Sequence, residues 1–139
     1  MADVFGMDAP ATVLIIEDSP VVQHLMRATL TPLGYTLLFA EDGETGLGLA
    51  QSHRPDLITL DIGLPGIDGW EVLTQLRGRP ATSGIVVVVV TAHAQESMRK
   101  AAEDSGAEGF VTKPFRPADL RLTVAGLLES APAALVATS

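Results

Sequence analysis

The chain predicts a doubly wound α/β fold, a five-stranded parallel sheet with helices on both faces. Three observations carry this. Short apolar runs alternate with segments of helical periodicity five times along the 139 residues. The run Ile85–Val90 is β-branched throughout and shows no polar alternation, as expected of a strand covered on both faces. Glycine, proline or acidic residues separate the runs from the periodic segments.

The elements follow in order. Thr12–Ile16 reads as a buried strand. Ser19-Pro20 opens a helix, with serine as cap and proline in the first turn. Val22, Leu25, Met26, Leu30 and Leu33 recur at helical spacing, and Gly34 stops the helix. Tyr35–Ala40 is the second strand, and Asp42-Gly43-Glu44 begins a helix that reaches about Ser52. Asp56–Leu60 is the third strand. Asp68-Gly69 opens the third helix, whose inner face carries Val72, Leu73 and Leu76 and which fades into Arg77-Gly78-Arg79-Pro80. After the Ile85–Val90 strand, Ala94–Ser105 is helical, with Met98, Ala101 and Ala102 inward, and Gly106 ends it. Glu108–Thr112 is the fifth strand. Pro117 opens the last helix, which carries Leu120, Val124, Leu127 and Leu128. Residues 1–11 and 131–139 lack periodicity and are expected to be flexible extensions of a single domain spanning 12–130.

Composition narrows the function. An apolar fraction of 47% with 19% charged residues argues against disorder. The absence of cysteine excludes disulfides and thiolate zinc sites. The formal net charge of -8 repels phosphate backbones and anionic lipid, so direct nucleic-acid or membrane binding is not expected. The N-terminus lacks the basic region and long apolar core of a signal peptide, and Ile85–Val90 is too short to span a bilayer. A cytoplasmic protein is the expectation.

Candidate chemistry gathers at strand ends. The first strand ends in Glu17-Asp18 and the third in Asp61, which a Gly/Pro-rich turn, Ile62 to Gly69, follows. The fourth strand ends at Thr91 and the fifth at Lys113-Pro114. Strand ends in a parallel sheet share one edge, where open α/β folds place ligand sites. Glu17, Asp18 and Asp61 offer the hard oxygen ligands that Mg²⁺ prefers, and a backbone carbonyl near Gly63 offers another. Without a cation such a cluster repels itself, and at least one of its pKa values rises. Aspartate can attack phosphorus to form an acyl phosphate, whose oxygens need positive charge and hydrogen-bond donors. Lys113 suits the first need and the Thr91 hydroxyl the second. Taken singly, an Asp after a strand is as often a turn former or helix cap, and a Lys before Pro says nearly nothing. The specific signal is the joint pattern, one such residue or pair closing each successive core strand.

The chain resembles the receiver domains of two-component response regulators over about residues 11–130. Val13-Leu14-Ile15-Ile16-Glu17-Asp18 resembles the family's first strand and acidic pair. Leu60 to Gly69 resembles its phosphoacceptor strand and loop, Val90-Thr91-Ala92 its hydroxyl switch, and Gly109 to Phe115 its lysine strand. The resemblance implies a flavodoxin-like fold with strand order 2-1-3-4-5. It implies Asp61 as phosphoacceptor, with Thr91 and Lys113 binding the phosphoryl oxygens. Glu17, Asp18, Asp61 and the Gly63 carbonyl would hold Mg²⁺. Phe110 would be an aromatic switch following Thr91, and Lys113–Pro114 a cis peptide. Two departures stand out: Leu64 occupies a position where methionine is common, and Phe110 lacks the hydroxyl of the tyrosine often found there.

The reading is therefore a stand-alone response regulator that takes phosphate from a sensor histidine kinase or a histidine phosphotransfer protein and is not itself an enzyme on other substrates. It would signal to a downstream protein through its fourth helix, fifth strand and fifth helix, with Ser97, Met98, Lys100 and Ala101 as candidate surface residues. One alternative is a pseudo-receiver that never takes phosphate, which the complete acidic, hydroxyl and lysine set opposes. Another is an aspartate-nucleophile phosphohydrolase, which would carry a second Asp where Gly63 stands. A phosphate-binding flavodoxin-type carrier is a third, opposed by the acidic loop after the first strand. His24 reads as a solvent-facing helix residue, Trp70 as packing near the site, and Arg77 and Arg79 as too few for a nucleic-acid patch.

Overall fold

A computed structural model describes residues 10–93 and 95–138, with side chains through Glu129. Strands β1 (Thr12–Ile16), β2 (Thr36–Ala40), β3 (Leu57–Leu60), β4 (Val86–Thr91) and β5 (Gly109–Thr112) alternate with helices. The helices are α1 (Pro20–Leu30), α2 (Gly43–His53), α3 (Gly69–Gly78), α4 (Glu96–Asp104) and α5 (Pro117–Thr138). Every strand pair is parallel and the order is β2-β1-β3-β4-β5, the doubly wound, flavodoxin-like order expected. Of the expected N-terminal extension, residues 1–9 lie outside the described residues. At the other end the α5 backbone is helical through Thr138, past the expected domain edge at 130.

Local chemistry sets the helix ends. Ser19, Asp42 and Asp68 cap α1, α2 and α3 by accepting from the backbone N–H of Val22, Thr45 and Glu71. At Asp42 the hydrogen bonds from Thr45 hold the carboxyl below the usual carboxylate range. The first helix is shorter than its periodicity suggests. It ends at Leu30, a 3-10 turn covers Thr31–Leu33, and Gly34 closes it at φ 86°. Pro32 has no N–H to continue the ladder, so the chain tightens there. Leu25 and Leu33 face outward, and Thr29 is buried along with Met26 and Leu30. The fourth strand is shifted by one residue: Ile85 belongs to a turn, and its carbonyl accepts from the Arg77 guanidinium at 2.7 Å.

The pleat of β1 sends alternate side chains to opposite faces. Leu14 and Ile16 pack with Leu47, Ala50, Val72 and Leu76 from α2 and α3. Val13 and Ile15 pack with Met26, Leu30, Leu120 and Val124 from α1 and α5. Each such Val, Leu, Ile or Met side chain, fully buried, contributes roughly 1.5–3 kcal/mol. A third, smaller cluster lies between α3, β4, α4 and β5 and holds Ile62, Val89, Ala102, Trp70 and Phe110. Arg77, at the end of α3, is no surface charge. It donates to the carbonyls of Ser83, Ile85 and Gly106 and pairs with Glu108 at 2.8 Å. Its signal in the sequence was its place four residues after Leu73, beside the helix's inner stripe.

Gly69 lets α3 start against the loop that carries Asp61. A Cβ there would stand 2.5 Å from the Asp61 carbonyl oxygen and from the Ile62 Cα. At Gly48, on the outer face of α2, a Cβ would meet nothing within 4 Å. Gly69→Ala is therefore expected to destabilise the fold by about 1–3 kcal/mol, and Gly48→Ala to stabilise it by roughly 0.5–1 kcal/mol. Urea denaturation of the two variants checks this; equal shifts in midpoint would contradict the proposed contact.

Candidate functional site

The sheet order brings the sequence-predicted residues together. β1 and β3 are neighbours, so Glu17, Asp18 and Asp61 leave adjacent strands at the carboxyl edge. β4 and β5 follow, and Thr91 pairs in register with Thr112, the residue before Lys113. The backbone ties these ends to one another: Asp61 N–H donates to the Ile16 carbonyl at 3.2 Å, and Lys113 N–H to the Thr91 carbonyl at 2.8 Å. The Lys113–Pro114 peptide is cis.

Glu17 is 2% exposed and Asp61 8%, whereas Asp18 is exposed. Each of the three offers one carboxylate oxygen, and those oxygens lie within 4.8 Å of one another. Lys113 is the cation among them. Its Nζ donates to Glu17 Oε1 at 2.7 Å and to Asp61 Oδ2 at 3.0 Å. The other oxygens accept backbone bonds, Glu17 Oε2 from Ser19 N–H at 3.1 Å and Asp61 Oδ1 from Gly63 N–H at 3.0 Å. Gln23 secures the first loop by donating to the Glu17 carbonyl at 2.6 Å. Thr91 is buried at the end of β4, and its hydroxyl accepts from His93 N–H at 3.4 Å.

Burial raises the Glu17 pKa above 4.5, opposed by its bonds to Lys113 and Ser19. At Lys113 burial works to lower the pKa, but the hydrogen bonds to Glu17 and Asp61 prevail and it ends above 10.5. Three carboxylates and one ammonium leave an excess of about two negative charges when all are ionised. The donors are all oxygen, which suits a hard divalent cation. The residues present therefore fit Mg²⁺.

Of the other residues singled out, His24 is exposed on α1. Trp70 packs beside Ile62 and Phe110. Ser97 and Lys100 are exposed on α4, while Met98 and Ala101 are half-buried. Two residues that sequence reasoning passed over stand beside Phe110: Arg99, whose guanidinium lies 4.8 Å from the centre of the Phe110 ring, and Arg116, which shares a groove with it. A helix-face arginine carries no sequence signal of its aromatic partner, because that partner sits on another element.

Residues 13–125 match the family model described as the response regulator receiver domain. The protein PilH of Pseudomonas aeruginosa is 35% identical over 118 residues, covering 85% of this chain and 98% of that protein. The response regulator MprA of Mycolicibacterium vanbaalenii is also 35% identical, covering 86% of this chain but 51% of MprA. A DNA-binding dual master transcriptional regulator, RpaA of Synechocystis, is 39% identical over 84% of this chain and 48% of its own length. The chain thus spans nearly all of one curated relative and about half of others. Among solved structures, a CheY-like response regulator receiver domain protein from Methanospirillum hungatei superposes with a TM-score of 0.80 at 25% identity, covering 88% of this chain and 96% of that one. The chemotaxis protein CheY4 of Vibrio cholerae gives 0.78 at 29% identity, covering 84% and 97%.

The raised Glu17 pKa has a testable sign. Its proton is held more tightly in the folded state, so Glu17's favourable contribution is full below pH 4.5 and is lost as pH rises through its folded pKa. Metal-free Glu17→Gln is therefore expected to melt above the wild type at pH 8, with the gap closing towards pH 4. Wild type at about 100 times the Mg²⁺ dissociation constant should gain roughly 2.7 kcal/mol, and Glu17→Gln much less. Melting curves with and without Mg²⁺ check both; a wild type indifferent to Mg²⁺ would contradict the metal site.

Proposed function

The chain belongs to the response regulator receiver domain family, and on that premise we propose that Asp61 accepts a phosphoryl group from a histidine kinase or a histidine phosphotransfer protein. Its acidic cluster of Glu17, Asp18 and Asp61 suits it to Mg²⁺-dependent aspartate phosphorylation and conformational signalling. It is a phosphoacceptor signalling domain rather than a catalyst acting on a separate substrate. The single observation that carries the proposal is the Asp61 carboxylate, held at the carboxyl edge between the Lys113 ammonium and the acidic pair.

The roles follow from position. Glu17, Asp18, Asp61 and the Gly63 carbonyl would hold Mg²⁺, which supplies positive charge to offset that of the incoming phosphate. An Asp61 carboxylate oxygen forms the new O–P bond as the donor's histidine N–P bond breaks, and the imidazole leaves with the electron pair of that bond. The Lys113 ammonium, already within 3.0 Å of Asp61, binds a phosphoryl oxygen, and the Thr91 hydroxyl donates to another. In the structure that hydroxyl accepts from His93 N–H, which leaves its own O–H free to donate to the phosphoryl group. The inward motion of Thr91 frees space for Phe110, one strand away, to rotate. The signalling surface would be α4, β5 and α5, with a downstream protein as partner.

Other expectations have support of a coarser kind. No helix among the described residues is long and apolar enough to cross a membrane; a cytoplasmic location is part of the proposal. The net charge of -8 supports the absence of direct nucleic-acid binding. Residues 12–130 are proposed as the receiver unit.

Incubation with acetyl phosphate and Mg²⁺ is expected to add one phosphoryl group, labile to hydroxylamine, and Asp61→Asn to abolish it. Thr91→Ala should still accept phosphate but show a reduced response in amide exchange over residues 95–115. Mass-spectrometric mapping checks the first expectation. An adduct on His24 or a serine would overturn the assignment of Asp61, and an undiminished exchange response in Thr91→Ala would overturn the role of Thr91.

A further inference from the structure

Arg99 covers the aromatic residue on which the proposed switch depends. Its guanidinium stands 4.8 Å from the centre of the Phe110 ring, within the range of a cation–π attraction. On its packed side Phe110 belongs to the apolar cluster of Ile62, Val89, Ala102, Ala107 and Trp70. Arg99 adds a cation over the ring.

The helix that carries Arg99 is attached unevenly. Ala102 is the fully buried residue of α4, and the N-cap Gln95 makes no side-chain cap bond. The C-terminal end is fixed instead. Arg77 donates from Nε and Nη2 to the Gly106 carbonyl at 3.1 and 2.7 Å, and Ala107 N–H returns to the Ala102 carbonyl at 2.9 Å. Gly106 holds φ at 100°, and a Cβ there would stand 3.0 Å from Arg77 Nε. These attachments lie at the C-terminal end of α4. Arg99, one turn in from the opposite end, faces the Phe110 ring of β5.

We propose that Arg99 is a latch on the switch: by capping Phe110 it favours the unphosphorylated conformation and keeps the face of α4, β5 and α5 closed to its partner. This rests on the reading of Phe110 as the switch. Arg99, Phe110, Phe115, Arg116 and Asp119 line one groove of about 270 Å³. The Asp119 carboxylate there offers the guanidinium a second partner of opposite charge once the ring leaves. The latch biases the equilibrium only by its differential strength in the two states, about two- to five-fold for an exposed cation–π pair.

The test is ring NMR of the full chain with labelled phenylalanine, titrated with beryllofluoride and Mg²⁺ as a phosphoryl analogue, in wild type, Arg99→Gln and Arg99→Lys. The expected result is a two- to five-fold lower beryllofluoride midpoint for Phe110 in Arg99→Gln, with Arg99→Lys between it and wild type. Coincident midpoints in wild type and Arg99→Gln would overturn the latch and leave the switch standing. A wild-type Phe110 that does not respond to the analogue at all would overturn both.

Discussion

The structure depends on one electrostatic arrangement, a single ammonium set among three carboxylates at the carboxyl edge of a buried sheet. Lys113 reaches Glu17 and Asp61 from the far end of the chain, across separations of 96 and 52 residues. Carboxylates this close repel, and burial adds to the difficulty at Glu17. One lysine offsets part of that cost and leaves the site short of positive charge. The same deficit that strains the metal-free protein makes the site receptive to a divalent cation and then to phosphate. Function here uses an imbalance that packing alone would have removed.

The rest of the fold keeps that edge in place. β1 and β3 are buried in the centre of the sheet, so the acidic half rests on the two main core layers. β4 and β5 carry Thr91, Phe110 and Lys113 beside the smallest of the three clusters. Gly69 allows α3 to start against the Asp61 loop, and Arg77 pins the far end of α4. The largest cores thus lie under Glu17 and Asp61, and the smallest cluster lies beside Phe110 and α4.

Much of this was legible in the sequence, because the informative residues sit at strand ends and strand ends in a parallel sheet share an edge. Glu17, Asp18, Asp61, Thr91 and Lys113 could be grouped before any coordinates, since each closes an apolar run. What could not be read were partnerships set by tertiary packing. The place of Arg77 beside the inner stripe of α3 hinted at burial, but its acceptors, the carbonyls of Ser83, Ile85 and Gly106, could not be named in advance. Arg99 drew no reading at all because its partner, Phe110, lies on β5. The early end of α1 was hidden because Leu33 keeps the apolar period while Pro32 breaks the hydrogen-bond ladder.

The central claim is that unbalanced negative charge at this edge is what the cation relieves. Carboxyl ¹³C NMR of Glu17, titrated with acid in the presence and absence of Mg²⁺, measures it directly. The account predicts that Glu17 titrates above 4.5 without metal and that Mg²⁺ moves its midpoint down, since a bound cation favours the ionised form. A Glu17 midpoint at or below 4.5 that Mg²⁺ leaves unchanged would contradict it.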